Sequence, residues 1–393
     1  MNSLFLLLAA ALPLRLWPGT VPDLRVVESE RREGYVCSLV EYNVSGDERV
    51  QSFLLVPDGA SAETPVPGLV LLHDHGARFD IGKEKLVRPL ASAPEHIRRS
   101  SVQWVRDGFD GVYFADRLAA LGYVVIVPDV LYWGGRSTEL CRSWSQMEFA
   151  GEPGDRKAVK KAVYEGQRAV YDSLARQGIV WAEKTLNEDA AAARLLRGLP
   201  YVGDIGCFGW SMGAHRAWLL AASCPEVSTG VALCWMTLKE AQPTEYSASD
   251  YSMLIPSLRD RYDFPDIARA LAPKPFLFLN GRTDKLFPEW AVRKAFDRMQ
   301  EIYSEVLPRP DADLSAAGPD TDLPAAGPDT DLSVAGPLRT LFFDGGHHCG
   351  LAEQETILGF LRETLGGPPP APAPVSTLCP VDPSPLCPVD PAL

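Results

Sequence analysis

The sequence lacks the cysteine spacings that metal sites and disulfide frameworks show. It holds eight cysteines in 393 residues, but no C-x-x-C pair and no other ligand-like spacing. Most of them stand in apolar stretches, where a free cysteine packs as a small buried side chain. We therefore expect no zinc site, and unpaired thiols of this kind are typical of proteins from a reducing compartment.

The sequence also lacks clusters of lysine and arginine. It has 38 basic and 51 acidic residues, for a net charge of -13 at pH 7. Binding to phosphate backbones needs concentrated positive charge, so a nucleic-acid partner is not expected. With 46% hydrophobic and 23% charged residues, the composition is that of an ordinary globular protein. It leaves the oligomeric state open.

A membrane-spanning hydrophobic run is missing as well. The apolar run at the N-terminus, Leu4 to Leu12, is shorter than the roughly 20 residues that a membrane helix needs. It is similar to the apolar part of a secretion signal, but no Lys or Arg precedes it and no clear A-x-A cleavage site follows. We interpret residues 1–19 as an apolar N-terminal extension of a cytoplasmic protein, with export through a weak signal as the alternative.

Two segments are of low complexity. Residues 310–336 hold three nine-residue repeats, PDADLSAAG, PDTDLPAAG and PDTDLSVAG, and residues 366–393 form a proline-rich tail in which LCPVDP occurs twice. Such compositions cannot bury enough apolar surface to offset the entropy lost on ordering. We predict that both segments are disordered and that residues 20–365 otherwise form one catalytic domain.

Apolar, strand-like runs alternate with helical patterns along residues 20–365. The runs are Leu39 to Val44, Val50 to Val56, Leu69 to His73, Val124 to Pro128, Ile205 to Gly209, Val231 to Trp235, Phe276 to Asn280 and Thr340 to Asp344. The last six are nearly continuous in apolar residues, as expected of parallel strands covered on both faces. The alternation predicts an α/β fold with a mostly parallel central sheet of about eight strands and helices on both faces. The first two runs predict an antiparallel hairpin at the edge of the sheet.

The most informative motif is Gly209-Trp210-Ser211-Met212-Gly213, which stands between the fifth run and a helical segment. In a G-x-S-x-G turn the serine is at the apex, and the glycines avoid collisions with the neighbouring strand and helix. The serine hydroxyl then lies at a helix N-terminus, where backbone N–H groups and the helix dipole favour an oxyanion. Ser211 is the predicted nucleophile.

A nucleophilic serine needs a base and a group that orients the base. Asp284 stands in the loop after the strand Phe276 to Asn280, and His347 follows a Gly-Gly turn after the final strand. The chain order of serine, acid and histidine is the one in which hydrolases with such sheets present their triad. We predict Asp284 as the orienting acid and His347 as the base, with His348 as the alternative base.

The oxyanion hole should combine the N–H of Met212 with one from the loop His73-Asp74-His75-Gly76-Ala77. The N–H of His75 is the preferred second donor, and that of Asp74 is the alternative. The His-x-His spacing of this loop is only a weak metal signal, because no third ligand accompanies it. The predicted chemistry requires no metal and no cofactor.

Further candidates for the pocket stand near strand ends or close to the serine: Asp74, Trp133, Arg136, Trp210, His215 and Trp235. An aromatic rim would suit a modest acyl or alcohol group, although core packing explains these tryptophans equally well. Arg136 either holds a carboxylate of the substrate or pairs with an acid of the protein. His215 is interpreted as a helix-packing or pocket-lining residue.

Together these stretches resemble the α/β-hydrolase superfamily, and within it the dienelactone-hydrolase-like and acetyl-xylan-esterase-like branch of carboxylesterases. The resemblance rests on LLHDHGA, GYVVIVPDVLYWGGR, GCFGWSMGAHRAW, APKPFLFLNGRTDKLFP and FFDGGHH, and it covers about residues 20 to 365. It implies the α/β-hydrolase fold and an ester-hydrolysing enzyme. Dienelactone hydrolases proper are expected to use a cysteine nucleophile, whereas this chain has Ser211, which favours ordinary ester hydrolysis.

The predicted function is a serine hydrolase that cleaves a small-molecule carboxylic ester through a Ser-His-Asp triad and an acyl-enzyme intermediate. Two enzymatic alternatives share the same triad: a prolyl-oligopeptidase-like serine peptidase and an acyltransferase. A non-catalytic binding protein on a hydrolase scaffold is an alternative from a different class. The identity of the acyl and alcohol groups does not follow from the sequence, because fold alone does not determine specificity.

Overall fold

The computed structural model of the chain describes residues 22–45, 48–242, 250–307 and 331–366. The strands are β1 (Leu24–Arg32), β2 (Tyr35–Ser45), β3 (Glu48–Pro57), β4 (Val66–Leu72), β5 (Val124–Pro128), β6 (Val202–Trp210), β7 (Val227–Leu233), β8 (Phe276–Gly281), β9 (Asp331–Ala335) and β10 (Leu338–Phe343). All of them belong to one sheet.

The helices of seven or more residues are α1 (Glu95–Phe109), α2 (Phe114–Ala120), α3 (Glu139–Ser145), α4 (Arg156–Arg176), α5 (Trp181–Gly198), α6 (Met212–Ser223), α7 (Glu289–Val306) and α8 (Leu351–Leu365). Shorter helical turns span Lys83–Lys85, Gly134–Arg136, Gln146–Ala150, Lys239–Ala241, Tyr251–Met253, Pro256–Arg259, Phe264–Ile267 and Ala268–Leu271. Within the described ranges, no helix has the length and apolar character needed to cross a membrane.

The ten strands lie in the order β1-β2-β3-β5-β4-β6-β7-β8-β10-β9. The neighbours from β5 to β10 pair in parallel, whereas β1, β2 and β3 form an antiparallel meander that joins the sheet through β5. The predicted α/β fold with a mostly parallel sheet is therefore confirmed. The predicted hairpin corresponds to β2 and β3, but it does not end the sheet, because β1 pairs with its outer side.

Two strands exceed the expected number of about eight, and both lie at the edges. β1 escaped notice because most of its side chains are exposed, so it shows no apolar run. β9 lies within residues 310–336, for which disorder was predicted, and for Asp331–Ala335 that prediction is wrong. These residues pair antiparallel with β10 through a turn in which Gly336 has φ 59°. An edge strand can be held by backbone hydrogen bonds to its neighbour, even where the composition gives no strand signal. The rest of that insertion, the N-terminal extension and the tail after Gly366 lie outside the described residues.

Helices cover both faces of the sheet. Alternate residues of the central strands point to opposite faces and pack in one of two hydrophobic clusters. Leu69 and Leu71 of β4 pack in a cluster with α1, α2 and α8, whereas Val70 and Leu72 pack in a second cluster with α5, α6 and α7. Because side chains alternate across a strand, a strand covered on both faces reads as a continuous apolar run. This is the origin of the apolar runs that located β4 to β8 and β10.

The cysteines that the structure describes are buried and free: Cys37, Cys141, Cys207, Cys224, Cys234 and Cys349. Burial raises the pKa of each of these thiols. The prediction that the cysteines pack as small hydrophobic residues is confirmed for these six, and Cys379 and Cys387 lie outside the described residues.

Candidate active site

Ser211 lies on the sharp turn between β6 and α6. Its backbone has φ 56° and ψ -123°, a conformation that non-glycine residues rarely adopt and that occurs where surrounding structure imposes it. The residue directly precedes Met212, the first residue of α6. The hydroxyl therefore lies at the positive end of a twelve-residue helix.

The two glycines of the motif allow this turn to pack closely. A Cβ at Gly209 would lie 1.9 Å from the carbonyl oxygen of Gly213, and a Cβ at Gly213 would lie 1.8 Å from the carbonyl oxygen of Leu72 in β4. Both contacts are with backbone, which cannot swing away as a flexible side chain can. The steric reason for the G-x-S-x-G pattern is thus visible at both glycines.

His347 and Asp284 are paired. Nδ1 of His347 lies 2.7 Å from Oδ2 of Asp284, and the Asp284 side chain is fully buried. The other carboxylate oxygen of Asp284 accepts from the backbone N–H of Leu286 at 2.8 Å. With Nδ1 donating to Asp284, the Nε2 atom of a neutral His347 ring is free to act as a base.

The loops that carry the aspartate and the histidine are joined by backbone hydrogen bonds. The N–H of Arg282 donates to Phe343 O at 3.0 Å, and that of Thr283 donates to Gly345 O at 2.9 Å. A Cβ at Gly281 would lie 2.3 Å from Gly346 O, so a glycine is required where the two loops cross. Parallel pairing of β8 with β10 places both loops at the same end of the sheet.

His348, the alternative base, is placed differently. Its Nε2 lies 3.8 Å from Glu353, and its ring packs against Phe343 with centroids 5.9 Å apart. Neither contact involves Asp284 or Ser211. Of the two histidines, His347 is therefore the one that pairs with the predicted acid Asp284, whereas His348 lies beside Glu353.

Ser211 and His347 line a common cavity of about 390 Å³ at the carboxyl end of the parallel strands. Its other lining residues are aromatic, apolar or acidic: Asp74, His75, Gly76, Ala77, Trp104, Tyr164, Trp210, Asp250, Tyr251, Met253, Leu286 and Phe287. The lining includes no lysine or arginine among the described residues. Ser211 Oγ and His347 form no hydrogen bond with each other in the described part of the chain, an arrangement common in free enzymes, in which this bond tightens on substrate binding.

The two predicted oxyanion donors face no protein acceptor. Neither the Met212 N–H nor the His75 N–H is hydrogen-bonded within the part of the chain that the structure describes. Met212 begins α6, where the first N–H groups lack intrahelical partners, and His75 belongs to the loop that follows β4. Met212 directly follows Ser211, and His75 lines the cavity that contains Ser211.

The imidazole of His75 is held on both sides. Its Nδ1 accepts from the N–H of Ala77 at 3.0 Å, and its Nε2 lies 2.8 Å from Oδ2 of Asp250. His73 also uses both nitrogens: Nδ1 donates to Asp74 O at 3.0 Å, and Nε2 accepts from Val130 N at 3.2 Å. Neither histidine of the His-x-His pair thus has a nitrogen left for a metal.

Among the described residues, one group of potential metal ligands includes the histidine–aspartate pair. Ligand atoms of Cys234, Asp284 and His347 lie within 4.8 Å of one another. Burial and the negative charge of Asp284 raise the pKa of the Cys234 thiol well above its usual value. The group is accounted for by the histidine–aspartate pair.

Sequence reasoning missed Lys85. This side chain is fully buried, and its Nζ donates to the carbonyl oxygens of Asp74 and His75, both at 2.8 Å, while lying 3.4 Å from Oδ2 of Asp74. Trp104 donates from Nε1 to Oδ1 of the same carboxylate at 3.1 Å. The run Lys83-Glu84-Lys85 carries no sequence signal for this contact, because successive charged residues are ordinarily exposed.

Four of the candidate pocket residues do not line the cavity with Ser211. Trp133 is buried and donates from Nε1 to His75 O, in the loop that follows β4, at 3.1 Å. Arg136 pairs with Glu188 and Glu48, so of its two predicted roles the pairing with a protein acid is observed. His215 and Trp235 pack edge to face, with ring centroids 4.6 Å apart, which makes His215 a helix-packing residue. For these four residues the structure shows the packing or pairing alternative, because nearness to a strand end does not fix the direction of a side chain. Asp74 and Trp210 do line the cavity.

The fold that these elements form is the α/β-hydrolase fold. Residues 108–250 match the dienelactone hydrolase family, so the resemblance to the dienelactone-hydrolase-like branch is confirmed. A Bacillus subtilis (strain 168) protein described as a hydrolase, YtaP, is 24% identical over 298 residues, which cover 73% of this chain and 84% of that protein.

Solved structures share the fold. A Bacteroides fragilis NCTC 9343 protein described as an acetyl xylan esterase has a TM-score of 0.54 and 18% identity, over 77% of this chain and 70% of that one. A glucuronoyl esterase from Solibacter usitatus has a TM-score of 0.55 and 12% identity, over 92% of both chains. The class predicted from the sequence, a carboxylic ester hydrolase with an α/β-hydrolase fold, agrees with all of these comparisons.

Proposed function

We propose that this protein hydrolyses carboxylic esters of small molecules with Ser211 as nucleophile, His347 as general base and acid, and Asp284 as the residue that orients the imidazole. The observation that carries the proposal is that Ser211, on its positive-φ turn, shares one cavity with a histidine held by a buried aspartate. Neither a metal nor a cofactor takes part in it.

In the first half-reaction, Ser211 Oγ bonds to the ester carbonyl carbon while His347 Nε2 takes the hydroxyl proton. The carbonyl π electrons move to oxygen, and the resulting oxyanion accepts from the N–H groups of Met212 and His75. When the tetrahedral intermediate collapses, the carbon–oxygen bond to the alcohol breaks. His347 returns its proton to the leaving oxygen, and the acyl group remains on Ser211.

In the second half-reaction, water takes the place of the alcohol. His347 Nε2 removes a proton from the water as its oxygen attacks the acyl carbon, and the same oxyanion donors stabilise the second intermediate. Collapse breaks the bond to Oγ, and His347 returns the proton to Ser211. The products are the carboxylic acid and the free enzyme, and Asp284 stabilises the imidazolium in both halves.

The test is a comparison of the parent with Ser211→Ala, using a short-chain p-nitrophenyl ester and a fluorophosphonate probe. The parent should hydrolyse the ester and gain the mass of one phosphonyl group, whereas the variant should do neither. Ser223→Ala is a matched control, because Ser223 is the last residue of the same helix and should leave both readouts unchanged. Hydrolysis at the parental rate by folded Ser211→Ala would rule this serine out.

A further inference from the structure

The side chain of Lys85 lies behind the loop that is proposed to supply the second oxyanion donor. The carbonyl oxygens that it binds are those of Asp74 and His75, two successive residues of that loop. Both residues also line the cavity that contains Ser211. A buried cation thus contacts the backbone of the oxyanion loop itself.

The geometry of the peptide group connects this contact to the oxyanion hole. The carbonyl of Asp74 and the N–H of His75 belong to one peptide unit, and the carbonyl of His75 and the N–H of Gly76 belong to the next. Neither peptide is cis, so in each unit the N–H points away from the carbonyl. A donor that fixes the carbonyl therefore also fixes the direction of the N–H on the opposite side.

Each of the two carbonyl oxygens accepts a second hydrogen bond. Asp74 O also accepts from Nδ1 of His73 at 3.0 Å. His75 O also accepts from Nε1 of Trp133 at 3.1 Å and from the backbone N–H of Arg78 at 3.4 Å. Burial and nearby positive charges hold the pKa of His73 well below its usual value, so this ring stays a neutral donor. Lys85, His73 and Trp133, whose side chains donate to these two carbonyls, are all buried.

Lys85 brings a charge as well as a hydrogen bond. Its three contacts are two carbonyls and the Asp74 carboxylate at 3.4 Å, which matches the three N–H donors of an ammonium. Hydrogen bonds in a chain polarise one another, and the effect is larger in a low-dielectric interior. An ammonium on the carbonyl should therefore make the N–H at the other end of the same peptide a stronger donor to a developing oxyanion.

We propose that Lys85 is a positioning residue for the oxyanion hole, which orients and polarises the peptides 74–75 and 75–76. The proposal rests on the function proposed above, since it assumes that an oxyanion forms beside Ser211. A buried lysine that is distant in sequence from Ser211, Asp284 and His347 thus contributes to transition-state stabilisation.

The test compares Lys85→Met with the parent on two substrates, an oxygen ester and the corresponding thionoester, in which sulfur replaces the carbonyl oxygen. Sulfur is a weak hydrogen-bond acceptor, so the thionoester gains little from the oxyanion donors. Lys85→Met should lower kcat on the oxygen ester by about 10- to 100-fold, less than the 10²–10³-fold cost of deleting a direct donor. KM should change little, and the loss on the thionoester should be much smaller.

Lys274→Met is the matched control. Lys274 is also buried, and its Nζ also donates to two backbone carbonyls, those of Ala221 and Cys224, at 2.6 and 2.9 Å. It does not line the cavity. This variant should lose thermal stability but keep the parental ratio of oxygen-ester to thionoester activity. Lys85→Met leaves the buried carboxylate of Asp74 without its cation. If this variant does not fold, the double variant Lys85→Met with Asp74→Asn, which removes that charge, is compared with the parent in its place.

Equal losses on the two substrates, or parental kcat in a folded Lys85 variant, would overturn the role of Lys85. Neither result would affect the proposed function, which fails only if Ser211→Ala keeps the parental activity. The two failures are therefore distinguishable in one set of assays.

Discussion

His347 Nδ1 lies 2.7 Å from Asp284 Oδ2, across 63 positions of sequence. The contact is possible because β8 and β10 are parallel neighbours, so the loops that follow them leave the sheet side by side. The aspartate is buried, whereas the histidine remains 22% exposed in the cavity. The pair thus has one end fixed in the protein and the other open to a substrate.

Asp284→Asn should lower kcat by about 10³- to 10⁴-fold with little change in KM. The amide cannot stabilise an imidazolium and favours the wrong tautomer of His347, the effect seen when the aspartate of a serine-protease triad is replaced in this way. Ester hydrolysis at pH 7 measures it. Asp344→Asn is the control: this aspartate is 70% exposed and pairs with Arg282 at 3.2 Å, so its loss should leave kcat within about twofold. A similar fall in both variants would contradict a specific role for Asp284.

Gly213→Ala should destabilise the protein by about 3 kcal/mol or prevent its folding. The added Cβ would lie 1.8 Å from Leu72 O, and overpacking a close-packed interior commonly costs about 1–3 kcal/mol. Thermal unfolding gives the measurement. Gly59→Ala is the control, because no atom lies within 4 Å of its Cβ position and its unfolding temperature should stay near that of the parent.

The sequence alone predicts those parts of the fold that local residue patterns determine. The apolar runs located the parallel strands, because burial on both faces leaves a continuous run, and the G-x-S-x-G motif located the turn at Ser211. Edge strand β1 was not found, because its mostly exposed residues carry no periodic signal. Strand β9 was not found either, because backbone pairing with β10 produces it and not its own composition.

The candidate site was predictable where chain order carries the information, as it does for Asp284 and His347. It was not predictable where the direction of a side chain decides. Trp133 and Trp210 both lie near strand ends, yet of the two only Trp210 lines the cavity, while Trp133 donates to the carbonyl oxygen of His75. The role of Lys85 depends on which carbonyl oxygens it contacts, and tertiary packing alone determines those contacts.

The enzyme should prefer uncharged esters to anionic ones. The cavity lining includes Asp250 and, among the described residues, no lysine or arginine, while the carboxylate of Asp74 is paired with the buried Lys85. Like charges about 6 Å apart in a partly solvated site repel by an energy of the order of 1–3 kcal/mol, so kcat/KM should fall about tenfold or more. Comparison of p-nitrophenyl acetate with p-nitrophenyl hemisuccinate, at low and high salt, measures this. Equal kcat/KM values for the two esters would show that Asp250 does not face the acyl group.

His215 should make the protein less stable in acid. Burial lowers the pKa of this imidazole from 6.5 to about 3, so between these values the unfolded chain binds a proton that the folded protein does not. The contribution of neutral His215 to stability is therefore complete above about pH 6.5 and is lost as the pH falls toward 3. At pH 5 the free energy of unfolding should have fallen by about 2 kcal/mol. His215→Phe keeps a ring against Trp218 and Trp235 but cannot titrate. His215→Gln cannot titrate either, and it lacks the ring. Urea unfolding at pH 7 and pH 5 should show a smaller loss of stability in both variants than in the parent. The same loss in parent and variants would mean that His215 is not the group responsible, and His73, whose pKa is also lowered by burial, would then be the residue to replace.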